Sequence, residues 1–326
     1  MSLDADLIVD RRRMRRKLTF WRVFAVVVAI IAIGAVVAAL APRGISAPGR
    51  AQIARVNISG LILNNAERVK SLTDLSKASY VRAVIVHVDS PGGTVAGSEQ
   101  LYHSLRQVAA AKPTVVVVDG LAASGGYIAA MSSDHVIAQD TSLVGSIGVL
   151  FQYPNVADLL KTIGVQVETV RSTPLKAAPN GFEPTSPEAK AALEAIVKDS
   201  YAWFRGMVQD RRKLTAEQLD KVADGRVFTG RQALDLKLID QIGNEQTAID
   251  WLAKSKGIDA NLPVKDWRLE PRLSELSFLH AATGAALEAA GLKSLARRFE
   301  DTGAVRGIES LNLDGLLALW HPSGTN

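Results

Sequence analysis

The sequence predicts an α/β fold, preceded by one N-terminal transmembrane helix and followed by a helical C-terminal extension. Three observations carry this reading. Short apolar runs alternate with helix-period segments between residues 51 and 257. Upstream of them, Val23–Ala41 is an apolar run of nineteen residues without a charge. Beyond Trp267 the apolar residues, such as Leu273, Leu276, Leu279, Leu287 and Leu292, follow helical spacing and strand signals cease.

Residues 1–22 form a basic segment with seven Lys/Arg against three Asp. The whole 326-residue chain carries a net charge of +5, so nearly all of the excess lies in this block. A basic face spread over a folded domain, the usual footprint of nucleic-acid binding, is therefore excluded. The charged fraction of 22% and apolar fraction of 48% exclude a largely disordered chain. With no cysteine, disulfide scaffolds and thiolate metal sites are excluded too.

Residues 23–41 read as a transmembrane anchor. A helix of this length spans roughly 29 Å, close to the hydrocarbon thickness of a bilayer. Phe20 and Trp21 stand at its start, where aromatic rings favour the headgroup level. The basic cluster directly upstream orients it, with the N-terminus cytoplasmic and everything after residue 42 outside, by the positive-inside rule. A cleaved signal peptide is the competing reading, because Ala39-Leu40-Ala41 has the small-x-small form of a cleavage site. The run exceeds an ordinary h-region, however, and Pro42 directly after the cut fits an extended protease-bound strand badly. The chain is placed in the inner membrane as a single-pass protein, its main domain on the periplasmic side.

Residues 42–50 are a Pro- and Gly-containing linker. In the domain at 51–257, strands are predicted over Ile53–Ile58, Val81–Val88, Thr114–Val118, His135–Ala138, Ile147–Phe151 and Val165–Val170. Helices are predicted over Val95–Ala111, Tyr127–Met131, Val156–Ile163 and Glu188–Arg212. Ser186 and Pro187 suit the N-cap and first position of the last of these. Thr215-x-x-Gln218 and Thr229-x-x-Gln232 have the capping-box form and start two short helices. Residues 258–326 make the helical extension.

Two glycine-rich turns each follow a strand and open a helix: Asp89-Ser90-Pro91-Gly92-Gly93 and Gly120-Leu121-Ala122-Ala123-Ser124-Gly125-Gly126-Tyr127. Glycines at a helix start let the backbone approach a ligand and leave N–H groups pointing outward, where they can hold an anion or an oxyanion. Most such turns are structural. Ser124 is more specific, because small neighbours on both sides permit the sharp strand-to-helix turn of a nucleophile elbow, although G-x-S-x-G is not spelled. Neither turn matches a P-loop or G-x-G-x-x-G. A nucleophilic serine needs a base. His87 alternates with apolar residues in a strand and reads as a packing histidine, and His103 and His135 have no orienting carboxylate placed by a motif. A lysine can serve where desolvation favours its neutral form, but composition alone does not choose which.

With these residues in view, the sequence resembles the serine–lysine signal peptide peptidases, or protease IV family, of the short single-domain kind. The likeness runs from about Val56 to Ala253. It is carried by D-S-P-G-G at 89–93, A-A-S-G-G-Y at 122–127, G-S-I-G-V at 145–149, N-V-A-D-L-L-K-T-I-G-V at 155–165 and D-G-R-V-F-T-G-R-Q-A at 224–233. The resemblance implies a Clp protease/crotonase-like spiral of ββα units, assembly into a homo-oligomer, and hydrolysis of peptides, above all signal peptides, without metal or cofactor. It implies Ser124 as nucleophile, Lys176 as general base, Ser146 as the residue that orients the lysine, and the Gly93 and Gly125 N–H groups as the oxyanion hole. The surroundings of Lys176, Ser172-Thr173-Pro174-Leu175-Lys176-Ala177-Ala178-Pro179, depart from the glycine and polar residues of many relatives. Lys161, within a helix, and Lys190, in a solvated helix after Pro187, are the rivals for the base.

Three other readings stay open at this level. A related anchored protease would take misfolded exported proteins. A crotonase-type acyl-CoA enzyme shares the glycine-rich oxyanion turns, but export separates it from a cytoplasmic substrate. An inactive membrane scaffold is the non-enzymatic reading.

Overall fold

Parallel strands with helices on both faces order the domain, as a computed structural model shows for residues 50–269, 316–319, 17, 20 and 21. Strand β1 (Gln52–Ile62) leads through helix α1 (Ala66–Lys77) to β2 (Val81–Thr94). Helix α2 (Val95–Ala111), β3 (Thr114–Ala123), α3 (Gly125–Ala130) and β4 (His135–Ala138) complete the first half. Short strands β5 (Leu143–Gly145) and β6 (Leu150–Phe151) precede α4 (Ala157–Thr162) and the long α5 (Pro187–Arg212). Then come α6 (Ala216–Val222), β7 (Val227–Thr229), α7 (Gly230–Asp235), β8 (Gln241–Ile242), α8 (Glu245–Lys256), β9 (Val264–Asp266) and β10 (Leu316–Leu319).

Strands β9, β1, β2, β3, β4 and β8 are parallel neighbours in that order, while β10 is antiparallel to both β2 and β6. Because a strand's side chains alternate, one sequence run feeds two cores. Val84, Val86, Val88, Val116 and Val118 face the larger core with α1, α2, α3 and part of α5. Ala83, Ile85, Val115, Val117 and Ile137 face the smaller one, closed by Ala248 and Leu252 of α8.

Helix ends follow the expected chemistry. Asn65 accepts from the Arg68 N–H, Thr94 from Gly97 and Ser186 from Ala189, with Pro187 in the first turn. Both predicted capping boxes form, and Asn244 with Thr247 makes a third at the start of α8.

Four expectations need correction or qualification. Val165–Val170 forms no strand: Val165, Val167 and Val170 are exposed, and no strand among the described residues pairs with them, so the backbone has no ladder to join there. The signal at Ile147–Phe151 resolves into β6 alone, because the left-handed backbone at Ser146 separates it from β5. The extension at 258–326 is not helical in its described parts, where β9 adds to β1 and β10 to β2. The rest of that extension, and the expected anchor at 23–41, lie outside the described residues; no helix among the described residues is long and apolar enough to cross a membrane.

An ionic network fastens α8 to the sheet. Arg55 of β1 donates from Nε and a terminal nitrogen to the Glu245 carboxylate, at 2.5 and 2.6 Å, and to Asp266 of β9 at 3.0 Å. The His87 ring lies between Asp119 and Glu245, each 2.9 Å from one of its nitrogens. The Arg55 hydrogen bonds hold the Glu245 carboxyl below its ordinary value of 4.5, against the opposing effect of partial burial and with help from His87. A depressed carboxyl stabilises the fold above its unfolded value and loses that contribution as pH falls through the folded one. Glu245→Gln is expected to cost about 1–3 kcal/mol at pH 7 in urea unfolding. The difference from wild type should shrink as the pH falls below about 4; a difference independent of pH would contradict the assignment.

Candidate active site

The two glycine-rich turns meet where β2 and β3 end. Strand β3 pairs with β2 as far as Ser90↔Ala122, and it also pairs with β5 at Ala122↔Val144 and Ala123↔Gly145. Ser124 is the next residue. Its backbone sits at φ 54° and ψ −115°, left-handed territory that a residue with a side chain enters only when its surroundings hold it there, at a cost of order 1–3 kcal/mol. Three hydrogen bonds do the holding. Its N–H donates to the Gly145 carbonyl at 2.8 Å, and its carbonyl accepts from Tyr127 and Ile128 at 2.9 and 3.0 Å. Tyr127 is itself fixed: its hydroxyl donates to the Leu238 carbonyl at 2.8 Å, and burial pushes the phenol well above its ordinary value, so it remains a neutral donor.

Ser124 is 1% exposed, and its hydroxyl does not cap α3. Ser146 leads out of the neighbouring strand end at φ 51°, its N–H donating to the Arg226 carbonyl at 2.8 Å. Thus the register of β3 with β5 sends the two serines out of adjacent strand ends.

Gly93 and Gly126 are required by close packing. A Cβ on Gly93 would lie 1.9 Å from the Ile62 carbonyl oxygen, and one on Gly126 would lie 2.5 Å from that of Ser90. Gly125 opens α3, so its N–H falls among the first-turn donors that have no intrahelical partner. Ser90 orders the first turn by donating to the Gly60 carbonyl at 2.7 Å and accepting from the Gly92 N–H at 3.1 Å.

Lys176 lies on an arm between β6 and α5, is exposed, and makes no side-chain hydrogen bond to Ser124 or Ser146. The arm's two ends are laced by Tyr153 to Thr185 at 2.7 Å, Asn155 to the Glu183 carbonyl at 3.1 Å and the Val156 N–H to the Gly181 carbonyl at 2.8 Å. An ion pair joins Arg171 to Glu183. Lys161 is exposed on α4, and Lys190 pairs only loosely with Glu194 on α5. Of the histidines, His87 is held by two carboxylates and His135 stacks on Trp251, while His280 and His321 lie outside the described residues.

Beside Ser146 opens a cleft of about 340 Å³, walled by Ile147, Val149, Leu150, Val197 and Tyr201. Sequence reasoning missed this cleft and the carboxylate pair on His87. Asp119 and Glu245 are 126 residues apart in sequence, and only the packing of α8 on the sheet brings them to one ring.

Comparison with known proteins identifies the family. The model described as Peptidase family S49 matches residues 106–259, and the Clp protease model matches residues 62–142. A protein of Synechocystis sp. whose name assigns it to the proteases is 35% identical over 225 residues, covering 68% of this chain and 81% of its own. Protease 4 of Salmonella typhi is 33% identical over 228 residues, covering 67% of this chain and 36% of its own. The chloroplastic serine protease SPPA of Arabidopsis thaliana is 32% identical over 221 residues, covering 68% of this chain and 30% of its own. The α/β fold is accordingly Clp protease-like.

Gly93→Ala is expected to destabilise the protein by about 1–3 kcal/mol, because the added methyl must displace the backbone of β1. Chemical denaturation measures this; wild-type stability would show that the turn has slack the close approach to Ile62 denies.

Proposed function

The chain belongs to peptidase family S49 and is a protease related to protease 4 and SppA, and from that premise we propose a membrane-anchored serine endopeptidase that degrades cleaved signal peptides. The supporting observation is Ser124, a buried serine held in strained backbone at a strand-to-helix turn and followed by Gly125, whose N–H opens α3 without an intrahelical partner and can donate to an oxyanion.

In the proposed mechanism, Lys176 in its neutral form takes the Ser124 proton as the serine oxygen attacks a peptide carbonyl. The developing oxyanion is held by the Gly93 and Gly125 N–H groups. The Lys176 ammonium then protonates the departing amine, and water, deprotonated by the same lysine, releases the acyl group and restores Ser124. Ser146 orients the lysine. The cleft beside Ser146 has the size and apolar walls to take a small apolar side chain of the substrate. No cofactor enters this chemistry.

Lys176 needs a partner to bring it into play, and the arm suggests one. Ile163, Val165, Val167, Val170, Leu175 and Phe182 are all exposed along it. Such a run of apolar side chains fits burial against a second copy of this chain, which would make a homo-oligomer and take the Lys176 amine out of water. The anchor at 23–41 would tether the assembly on the outer face of the inner membrane, where apolar peptide remnants meet it at raised effective concentration.

Ser124→Ala and Lys176→Ala are each expected to abolish hydrolysis of a fluorogenic signal-peptide substrate while circular dichroism stays unchanged. Near-wild-type turnover in either purified variant would sink that part of the dyad. Val167→Asp with Leu175→Asp should shift the detergent-solubilised protein to monomer in light scattering and lower activity at least tenfold. An unchanged mass would mean that the arm is not the assembly surface.

A further inference from the structure

Ser124 immediately precedes α3, and α3 is only six residues long. A helix that short does not hold its own place, because nucleation is unfavourable and few hydrogen bonds follow it. Its far end is gripped instead by arginines. Arg211, in the last turn of α5, donates from Nε to the Met131 carbonyl at 2.8 Å and from a terminal nitrogen to the Ser133 carbonyl at 2.6 Å. Arg106 of α2 donates to the carbonyl between them, that of Ser132, at 2.9 Å. Met131, Ser132 and Ser133 are all buried, so these carbonyls need donors from the protein. The next residue of α5, Arg212, donates to the Lys237 carbonyl at 2.7 Å and forks onto the Asp240 carboxylate at 2.8 and 3.1 Å. Between those two points lies Leu238, whose carbonyl receives the Tyr127 hydroxyl. Consecutive residues of α5 thus fix α3 at its end and along its side.

This grip carries a cost. Burial and the neighbouring Arg106 both disfavour the Arg211 charge and lower its guanidinium pKa from the ordinary value, with Tyr102 and Asp134 offsetting only part. An apolar contact at the same place would avoid that cost. The fork supplies what an apolar contact lacks, which is direction: two N–H donors in a rigid plane fix where the helix end stands and how far it turns. Met131 lies seven residues beyond Ser124, about 10 Å along the helix. Arg211 therefore acts through the helix and not on substrate. We propose that Arg211 is a positioning residue for peptide hydrolysis: by holding the last carbonyls of α3 it sets where the Ser124 turn stands against the oxyanion donors. This rests on the reading of Ser124 as the nucleophile and adds what aims it. Arg212 supports the same helix through Leu238 and Tyr127. Without the grip α3 shifts, and the rate of attack falls while peptide binding is unchanged.

The test uses the full chain in detergent, with wild type, Arg211→Ala and Arg211→Lys side by side. Labelling of Ser124 by a fluorophosphonate probe and hydrolysis of a fluorogenic signal-peptide substrate are both timed. Arg211→Ala is expected to slow labelling and kcat by about tenfold or more, with KM within about twofold of wild type. Arg211→Lys keeps the charge but loses the fork, should show most of the same loss, and carries the test if the alanine variant does not fold. Methylguanidinium at low concentration should raise the Arg211→Ala rates severalfold, where methylammonium does not. A purely structural role gives the opposite sign, since a weakened fold loses activity when a guanidinium salt is added. Wild-type labelling in both variants, or a loss confined to KM, would overturn the proposal. So would losses that match the unfolded fraction in circular dichroism and are not rescued. If Ser124 of the wild type takes no probe, the peptidase reading falls and the positioning role with it. A labelled wild type with variants that match it removes the positioning role alone.

Discussion

The strained turn at Ser124 is the constraint on which the site depends. A side-chain-bearing residue in left-handed backbone at the end of a buried strand persists only because its N–H and carbonyl are both engaged, by Gly145 and by the first turn of α3. Gly145 can accept that hydrogen bond because β5 runs beside β3, and β5 is held in turn by antiparallel pairing with β7. Glycine at 126 lets the helix start pass within reach of the Ser90 carbonyl. The serine is therefore presented by the whole sheet rather than by a loop.

The same geometry creates the opening beside it. Strand β3 cannot pair with both β2 and β5 along its full length, and its departure leaves the last four residues of β2, Pro91 to Thr94, outside the β2–β3 ladder. An open edge of this kind is an invitation to strand addition. In this chain the C-terminal segment accepts it, next to the glycines that carry the candidate oxyanion donor.

Much of this was readable in the sequence because it is local chemistry. The valine-rich runs at 83–88 and 115–118 marked strands buried on both faces, and Ser186-Pro187, Thr215 and Thr229 marked helix starts that form as expected. The glycine turns were legible as strand-to-helix turns because small residues permit the sharp backbone path that Ser124 and Gly125 take. What escaped depends on partners distant in sequence. Val165–Val170 has the composition of a strand, but a strand exists only against a neighbour, and the described residues supply none. His87 looked like a packing residue because Asp119 and Glu245 reach it only through the fold. Leu316–Leu319 falls in the extension expected to be helical, yet it pairs with the edge of β2, where tertiary context outweighs local propensity.

The proposed role of Ser124 is that of a nucleophile presented by its strained turn. Reaction of the detergent-solubilised protein with a fluorophosphonate probe, followed by intact-mass and peptide-mapping mass spectrometry, tests this most directly. One adduct per chain on the peptide containing Ser124, absent from Ser124→Ala, is the predicted result. No labelling, or labelling that persists in Ser124→Ala, would contradict it.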